Sequence, residues 1–272
     1  MMNHLSLSSI ILNKAYELGA DCAGIANVKD LKTAPAFVMM PKRPHIDRVG
    51  AVPYETGLPE GEVKWPEGIH SVLVIAVVHS ESEPYKDSWL DNKNPPGNMR
   101  LIEINRNIHR FLEESYPEIR SIPLNYYVEK GGVWLKDSAA VAGLGVIGKN
   151  NLLVTPRFGP RVRLRAMFLS ADLPSTGPLQ WDPCEGCSMP CRAACPQKAF
   201  AQKVYDPKDY DGLEQLPARD GVYRLQTCDI QMKKDEDNED TSGVYVEGYG
   251  KTESVITYCR KCELNCVVGR GV

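Results

Sequence analysis

The chain has 272 residues, 43% of them hydrophobic and 25% charged, with a formal net charge of −3. That length suits one large or two ordinary domains, and the lack of any apolar run near ~18 residues excludes a membrane-spanning helix. The charge balance argues against a surface built throughout to hold nucleic acid, which needs clustered Lys and Arg.

The N-terminus shows no basic leader, twin arginine or small-residue cleavage site, so a cytoplasmic protein with no membrane partner is expected. Residues 5–18 carry Leu5, Leu12, Ala15 and Tyr16 at helical spacing, and Gly19 closes the segment as a C-cap would. A strand is expected over 22–26, with Cys22 as a small buried hydrophobe. Residues 30–68 are rich in Pro and Gly and read as irregular, leading through a Trp65-Pro66-Glu67-Gly68 turn into a strand over 71–78. A helix over 100–115 and strands over 124–128 and 162–169 follow. This alternation implies an α/β domain over residues 1–178. Residues 179–272 switch to short cysteine-bearing segments with little room for a separate apolar core. The run 233–240, KKDEDNED, reads as a solvated loop.

Gly143, Gly145 and Gly148 spell the G-x-G-x-x-G of a dinucleotide-binding turn. The context fits that reading poorly. Residues 136–141 are small and mixed rather than a β-branched strand, and the downstream acid, Asp172, is the kind of match that chance supplies often.

Eight of the nine cysteines lie in the last third of the chain. The first group is Cys184-x₂-Cys187-x₃-Cys191-x₃-Cys195-Pro196, the second is Cys259-x₂-Cys262-x₃-Cys266, and Cys228 stands between them. A disulfide framework suits secreted chains. Zinc favours paired knuckles and leaves the x₃ spacings and the Cys-Pro step unexplained. Two [4Fe–4S] clusters use all eight, because in two-cluster ferredoxins the cysteine before the proline ligates the other cluster. Cys184, Cys187, Cys191 and Cys266 then hold one cluster, and Cys195, Cys228, Cys259 and Cys262 the second. The first group departs from the usual ferredoxin run by one extra residue between its second and third cysteines.

Four stretches, LGADCAGIA, GIHSVLVIAVVH, WLKDSAAVAGLGVIGKNNLLVTPRFGPRVRLRAMFLSADLP and the crossed cysteines, occur in this order. By them the chain resembles the cobalamin-dependent iron-sulfur reductases, nearest to the epoxyqueuosine reductases and further off the reductive dehalogenases. The resemblance implies an α/β (α+β) cobalamin-binding domain followed by a ferredoxin-like di-cluster domain. It implies an oxidoreductase that takes electrons from a low-potential donor of the ferredoxin or flavodoxin type and passes them through both clusters to cobalt. The substrate would be a small molecule or a modified base.

By the same resemblance, Gly143, Gly145 and Gly148 line a corrinoid pocket, where missing side chains permit close approach. Lys149, Asn150, Arg161 and Arg163 become candidate partners of the corrin side chains, with surface salt bridges as their bland alternative. The KDSA stretch points to Asp137 as the proton donor, provided burial raises its pKa; a helix N-cap is the competing role. Tyr126 and Tyr127 are the alternative donors. The five histidines sit in no corrinoid-ligating motif, so cobalt is expected without a protein imidazole. The charge of −3, the acidic run and the end of the sequence six residues after Cys266 count against a tRNA substrate. A corrinoid-handling protein without an organic substrate, or a plain electron-transfer module, are the rival readings.

Overall fold

The computed structural model describes residues 4–43, 48–90, 94–238, 240–246 and 251–271. Helix α1 (His4–Glu17) buries Leu7, Ile11 and Ala15 on one stripe and stops where Gly19 takes φ +96°. Strand β1 (Cys22–Asn27) leads into two short helices, α2 (Val28–Leu31) and α3 (Pro35–Met39), within the segment expected to be irregular. Strand β2 (Ser71–Val78) is buried on both faces, as its unbroken SVLVIAVV run requires. After β3 (Trp89–Leu90), helix α4 (Pro96–Ser115) begins four residues before the expected start, with the fixed φ of proline suited to its first turn.

The expected strand over 124–128 is corrected: β4 is Ser121–Pro123, and Val128–Lys130 is a 3₁₀ turn closed by Gly131 at φ +85°. Helix α5 (Leu135–Val141), the small hairpin β5 (Val146–Ile147) and β6 (Leu153–Val154), and β7 (Val162–Leu169) follow. The main sheet runs β1-β2-β7-β4 with every neighbour antiparallel. The fold is thus mixed α/β without the parallel sheet that alternating helices and strands suggest.

Side chains alternate across this sheet with period two. Leu73, Ile75, Met167 and Leu169 pack on α1 and α4, where Leu101, Ile104, Ile108 and Leu112 form the facing stripe. Val72, Val74, Ala166 and Phe168 pack on the opposite side, under α2 and α5. That second side is the one that carries the site.

Beyond residue 178 come α6 (Pro190–Ala193), α7 (Leu225–Asp237), the hairpin β8 (Asp240–Val246) and β9 (Lys251–Ile256), and α8 (Lys261–Leu264). The run read as a solvated loop is corrected for 233–237, which form the last turns of α7, where Lys233 pairs with Asp229 at 3.1 Å one turn back; Glu239 lies outside the described residues. Strand β9 pairs with β3, so segments from both sides of residue 178 share one three-stranded sheet. Among the described residues no helix is long and apolar enough to cross a membrane.

Candidate active site and cysteine tetrads

A cavity of about 670 Å³ opens between the sheet, α5 and the C-terminal segments. Trp89, Trp134, Tyr258, Leu152 and Leu164 supply much of its apolar wall. Asp137, Tyr126, Tyr127 and Arg163, all singled out in the sequence, meet at this cavity.

Asp137 stands in the first turn of α5, whose N-cap is Trp134, so it is not the capping residue. Its carboxylate accepts the backbone N–H of Ala36, at the start of α3, at 2.9 Å. The side chain is enclosed by protein and open to the cavity. Burial raises its pKa above the ordinary carboxylate range, outweighing the Ala36 bond and the charge of Lys136. Lys136 lines the same cavity and donates to the Asn151 carbonyl at 2.6 Å. Burial pushes its ammonium below the usual lysine range. Sequence reasoning missed Lys136, although the signal was present in the K of KDSA.

Tyr126 and Tyr127 meet edge to face with ring centres 5.3 Å apart. Burial, then the neighbouring Tyr126, raises the Tyr127 phenol, making it a poorer acid. Arg163 lies over the Trp89 ring at 5.4 Å, donates to Asn98 Oδ1 at 3.1 Å and pairs with buried Asp87. Burial alone would raise Asp87, but His79, Arg163 and Arg260 hold it down at about 2. His79, Asp87 and Glu263 form a buried group with metal-ligand chemistry. Arg163 and Arg260 already contact the two carboxylates, and this balance of charge leaves little need for a cation.

The three glycines pack closely against neighbouring chain. None of Gly143, Gly145 and Gly148 is among the cavity-lining residues. A Cβ on Gly145 would stand 2.3 Å from Val154 O, and Gly143 has φ +75° with Gly177 Cα 3.1 Å from its Cβ position. The close approach they permit is of the chain to itself, which brings Ile147 and the Asn151–Leu153 stretch to the cavity wall. Lys149 and Asn150 turn toward the cysteines: Lys149 N donates to Cys184 Sγ at 3.4 Å and Asn150 Nδ2 to Cys262 O at 3.5 Å. Arg161 is fully buried and spends its donors on Glu81 and on the carbonyls of Leu264, Cys266 and Val268. It ties the C-terminal segment to the sheet rather than facing the cavity.

The eight cysteines gather in two sets. Cys184, Cys187, Cys191 and Cys266 line one small cavity together with Asn150. Cys228, Cys259 and Cys195 surround Cys262, whose thiol is pushed up to about 12 by burial and then by Cys228, Cys259, Glu263 and Cys195. Backbone N–H groups of Lys149, Met189 and Ala199 donate to the sulfurs of Cys184, Cys187 and Cys195, a pattern suited to thiolate. The acidic run takes part here: Asp235 accepts from Cys259 N at 2.7 Å, and Glu236 from the Tyr258 hydroxyl at 2.9 Å. Cys22 lies apart, on β1, packed against the core.

No protein-family model matches the chain. It is 29% identical over 148 residues to an epoxyqueuosine reductase of Gloeobacter violaceus, covering 50% of this chain and 42% of that protein. To an epoxyqueuosine reductase of Leadbetterella byssophila it is 26% identical over 207 residues, 75% of this chain and 66% of the other. A tetrachloroethene reductive dehalogenase of Desulfitobacterium hafniense is 35% identical over 82 residues, 28% of this chain and 15% of that one. The chain thus spans less than half the length of the first curated relatives it matches.

Among solved structures, an epoxyqueuosine reductase in complex with an epoxyqueuosine-modified tRNA stem loop superposes with a TM-score of 0.62 at 18% identity, covering 99% of this chain and 67% of the other. A reductive dehalogenase described for B12-dependent dehalogenation superposes with a TM-score of 0.56 at 16% identity, covering 96% of this chain and 31% of the other. The mixed α/β fold is therefore one shared with both of these solved structures. The chain is similar first to the epoxyqueuosine reductases and then to the reductive dehalogenases, the order its motifs imply, and both are oxidoreductases. The doubt cast on tRNA by net charge is not supported, since a neighbour of the same fold binds a tRNA stem loop.

Proposed function

We propose that this protein is a cobalamin- and iron-sulfur-dependent reductase of the epoxyqueuosine type, acting on an epoxide carried by a modified base in RNA. The observation that carries this reading is Asp137, a carboxyl of raised pKa enclosed at a cavity of about 670 Å³ beside two sets of four cysteines. A general acid must hold its proton near working pH, and burial shifts Asp137 in that direction.

The donor sets fit two [4Fe–4S] clusters, four thiols each, with backbone N–H groups aimed at three of the sulfurs. Residues 179–272 would carry them and receive electrons from a low-potential donor of the ferredoxin or flavodoxin type. The cavity suits a large flat ring, with Trp89, Trp134 and Tyr258 as aromatic walls and Arg163 among its polar groups. His79, the histidine among the described lining residues, stands beside the Asp87 and Glu263 carboxylates with neither ring nitrogen hydrogen-bonded, and the reading of cobalt without a protein imidazole rests on the absence of a corrinoid-ligating motif around it. When bound, cobalamin supplies a cobalt centre able to deliver low-potential electrons to the substrate. Asp137 then holds and donates the proton, and the apolar wall excludes water from the reaction.

The deciding assay is anaerobic turnover of epoxyqueuosine-modified tRNA by reconstituted, cobalamin-loaded protein with a chemical reductant. Conversion to the reduced nucleoside is expected. Tight corrinoid binding with no conversion would instead favour the corrinoid-handling reading.

A further inference from the structure

The reduction proposed above sets a proton requirement that Asp137 alone does not meet. An epoxide that accepts two electrons takes up two protons in either outcome. If its oxygen stays, one C–O bond breaks, one proton goes to oxygen and one to carbon. If the oxygen leaves as water, both C–O bonds break, a C=C bond forms and both protons go to oxygen. The electrons come from the low-potential donor, and the epoxide is what is reduced. Asp137 carries one transferable proton, so a second acid is needed in the same cavity or must enter it from water.

We propose that Lys136 is a second catalytic residue of this cavity, an ammonium that donates the other proton to the epoxide-derived substrate. This rests on the epoxide-reductase reading. Lys136 and Asp137 are consecutive residues in the first turn of α5, and both line the cavity. The ammonium has three N–H donors. One is bonded at 2.6 Å to the carbonyl of Asn151, a residue held at φ +61° in a tight turn. Among the described residues no carboxylate forms an ion pair with Lys136, although Asp137 is its sequence neighbour. The charges of Asp137, Cys262 and Cys228 favour the ammonium, and burial outweighs them. The Asn151 bond fixes the nitrogen while leaving two donors for a ligand.

Burial also makes the group readier to release a proton, because it disfavours the charged form. The neighbouring candidates are less suited. Burial makes the Tyr127 phenol a weaker acid, and Tyr126 is 38% exposed. The pairing further separates epoxide reduction from reductive dehalogenation, which consumes two electrons but a single proton as halide leaves.

The test uses cobalamin-loaded, cluster-reconstituted protein and epoxyqueuosine-modified tRNA, comparing the native chain with Lys136→Met and Lys136→Arg. Corrinoid binding, read by absorption, and thermal unfolding serve as controls for folding. Turnover is expected to fall by about 10²-fold or more in both variants, since arginine keeps the charge but does not give up its proton. Where both protons move in the rate-limiting transition state, the rate in mixed H₂O and D₂O bows for the native enzyme and loses that bow in Lys136→Met. Native turnover with both variants within about threefold would overturn the proposal and leave the epoxide reading intact. Full rescue by Lys136→Arg would also overturn it, assigning the role to charge alone. A native enzyme inactive on the modified tRNA would bring down the parent reading and this proposal together.

Discussion

The Asp137 carboxylate accepts the Ala36 N–H at 2.9 Å, a contact that joins the first turn of α5 to the start of α3 at the cavity wall. Asp137→Asn retains an acceptor for that N–H and removes the transferable proton. Corrinoid binding is expected to survive while turnover falls by ~10²–10⁴-fold. Because burial raises the native pKa, the acid form persists above the ordinary carboxylate range and is lost as pH rises through the raised value. The native pH–rate profile should therefore fall on its alkaline side through that group, and the variant should lack this limb.

Cys266 belongs by sequence to the second cysteine group but lines the cavity of the first. Anaerobically reconstituted protein is expected to carry about eight irons, four in each cluster. Cys266→Ser should damage the cluster held by Cys184, Cys187 and Cys191, as read by iron content and electron paramagnetic resonance. Loss confined to the cluster of Cys259 and Cys262 would contradict the crossed arrangement. Cys22→Ser should leave iron unchanged: the Cys22 thiol is pushed up to about 11, chiefly by burial, as suits a packed side chain.

Gly145→Ala places a methyl group 2.3 Å from the Val154 carbonyl oxygen, which belongs to the backbone and yields little. Overpacking of this kind costs about 1–3 kcal/mol. The loss should appear as a lowered Tm in protein free of corrinoid. A variant as stable as the native protein that only loses cobalamin would return the glycine to the role first read from the sequence.

Asp87 links stability to pH. Its pKa is depressed to about 2 because His79, Arg163 and Arg260 outweigh its burial. A depressed native pKa contributes stability above the unfolded value near ~4, and that stability is lost as pH falls toward the native value. The contribution is about 2 kcal/mol, so Asp87→Asn should flatten acid unfolding between about pH 4 and 2.

Much of this was legible in the sequence. The β2 run declares itself by its unbroken apolar sequence, β7 by alternation that ends in an apolar AMFL, and α1 by its apolar stripe and closing glycine. The cysteine spacings lead to the same two sets that the chain brings together in space. What escaped depended on tertiary placement. The strand expected at 124–128 lost to β4, which pairs with β7 through Ser121–Pro123. The antiparallel order of the sheet has no local signature, because pairing is decided across long connections. The acidic run looked solvated by composition, but Asp235 and Glu236 find Cys259 N and Tyr258 only after β8 and β9 fold back. The G-x-G-x-x-G pattern signals close approach, and Gly143 and Gly145 lie close against the chain's own backbone.

The central claim is that the cavity beside Asp137 holds a corrinoid fed by two clusters. The most direct measurement is an anaerobic titration of the cluster-reconstituted protein with cob(II)alamin, followed by electron paramagnetic resonance before and after addition of a low-potential reductant. The expected result is one corrinoid per chain, a Co(II) signal without nitrogen hyperfine splitting from a protein histidine, and loss of that signal as cobalt is reduced to Co(I). A chain whose clusters reduce normally while cob(II)alamin stays free in solution would contradict it.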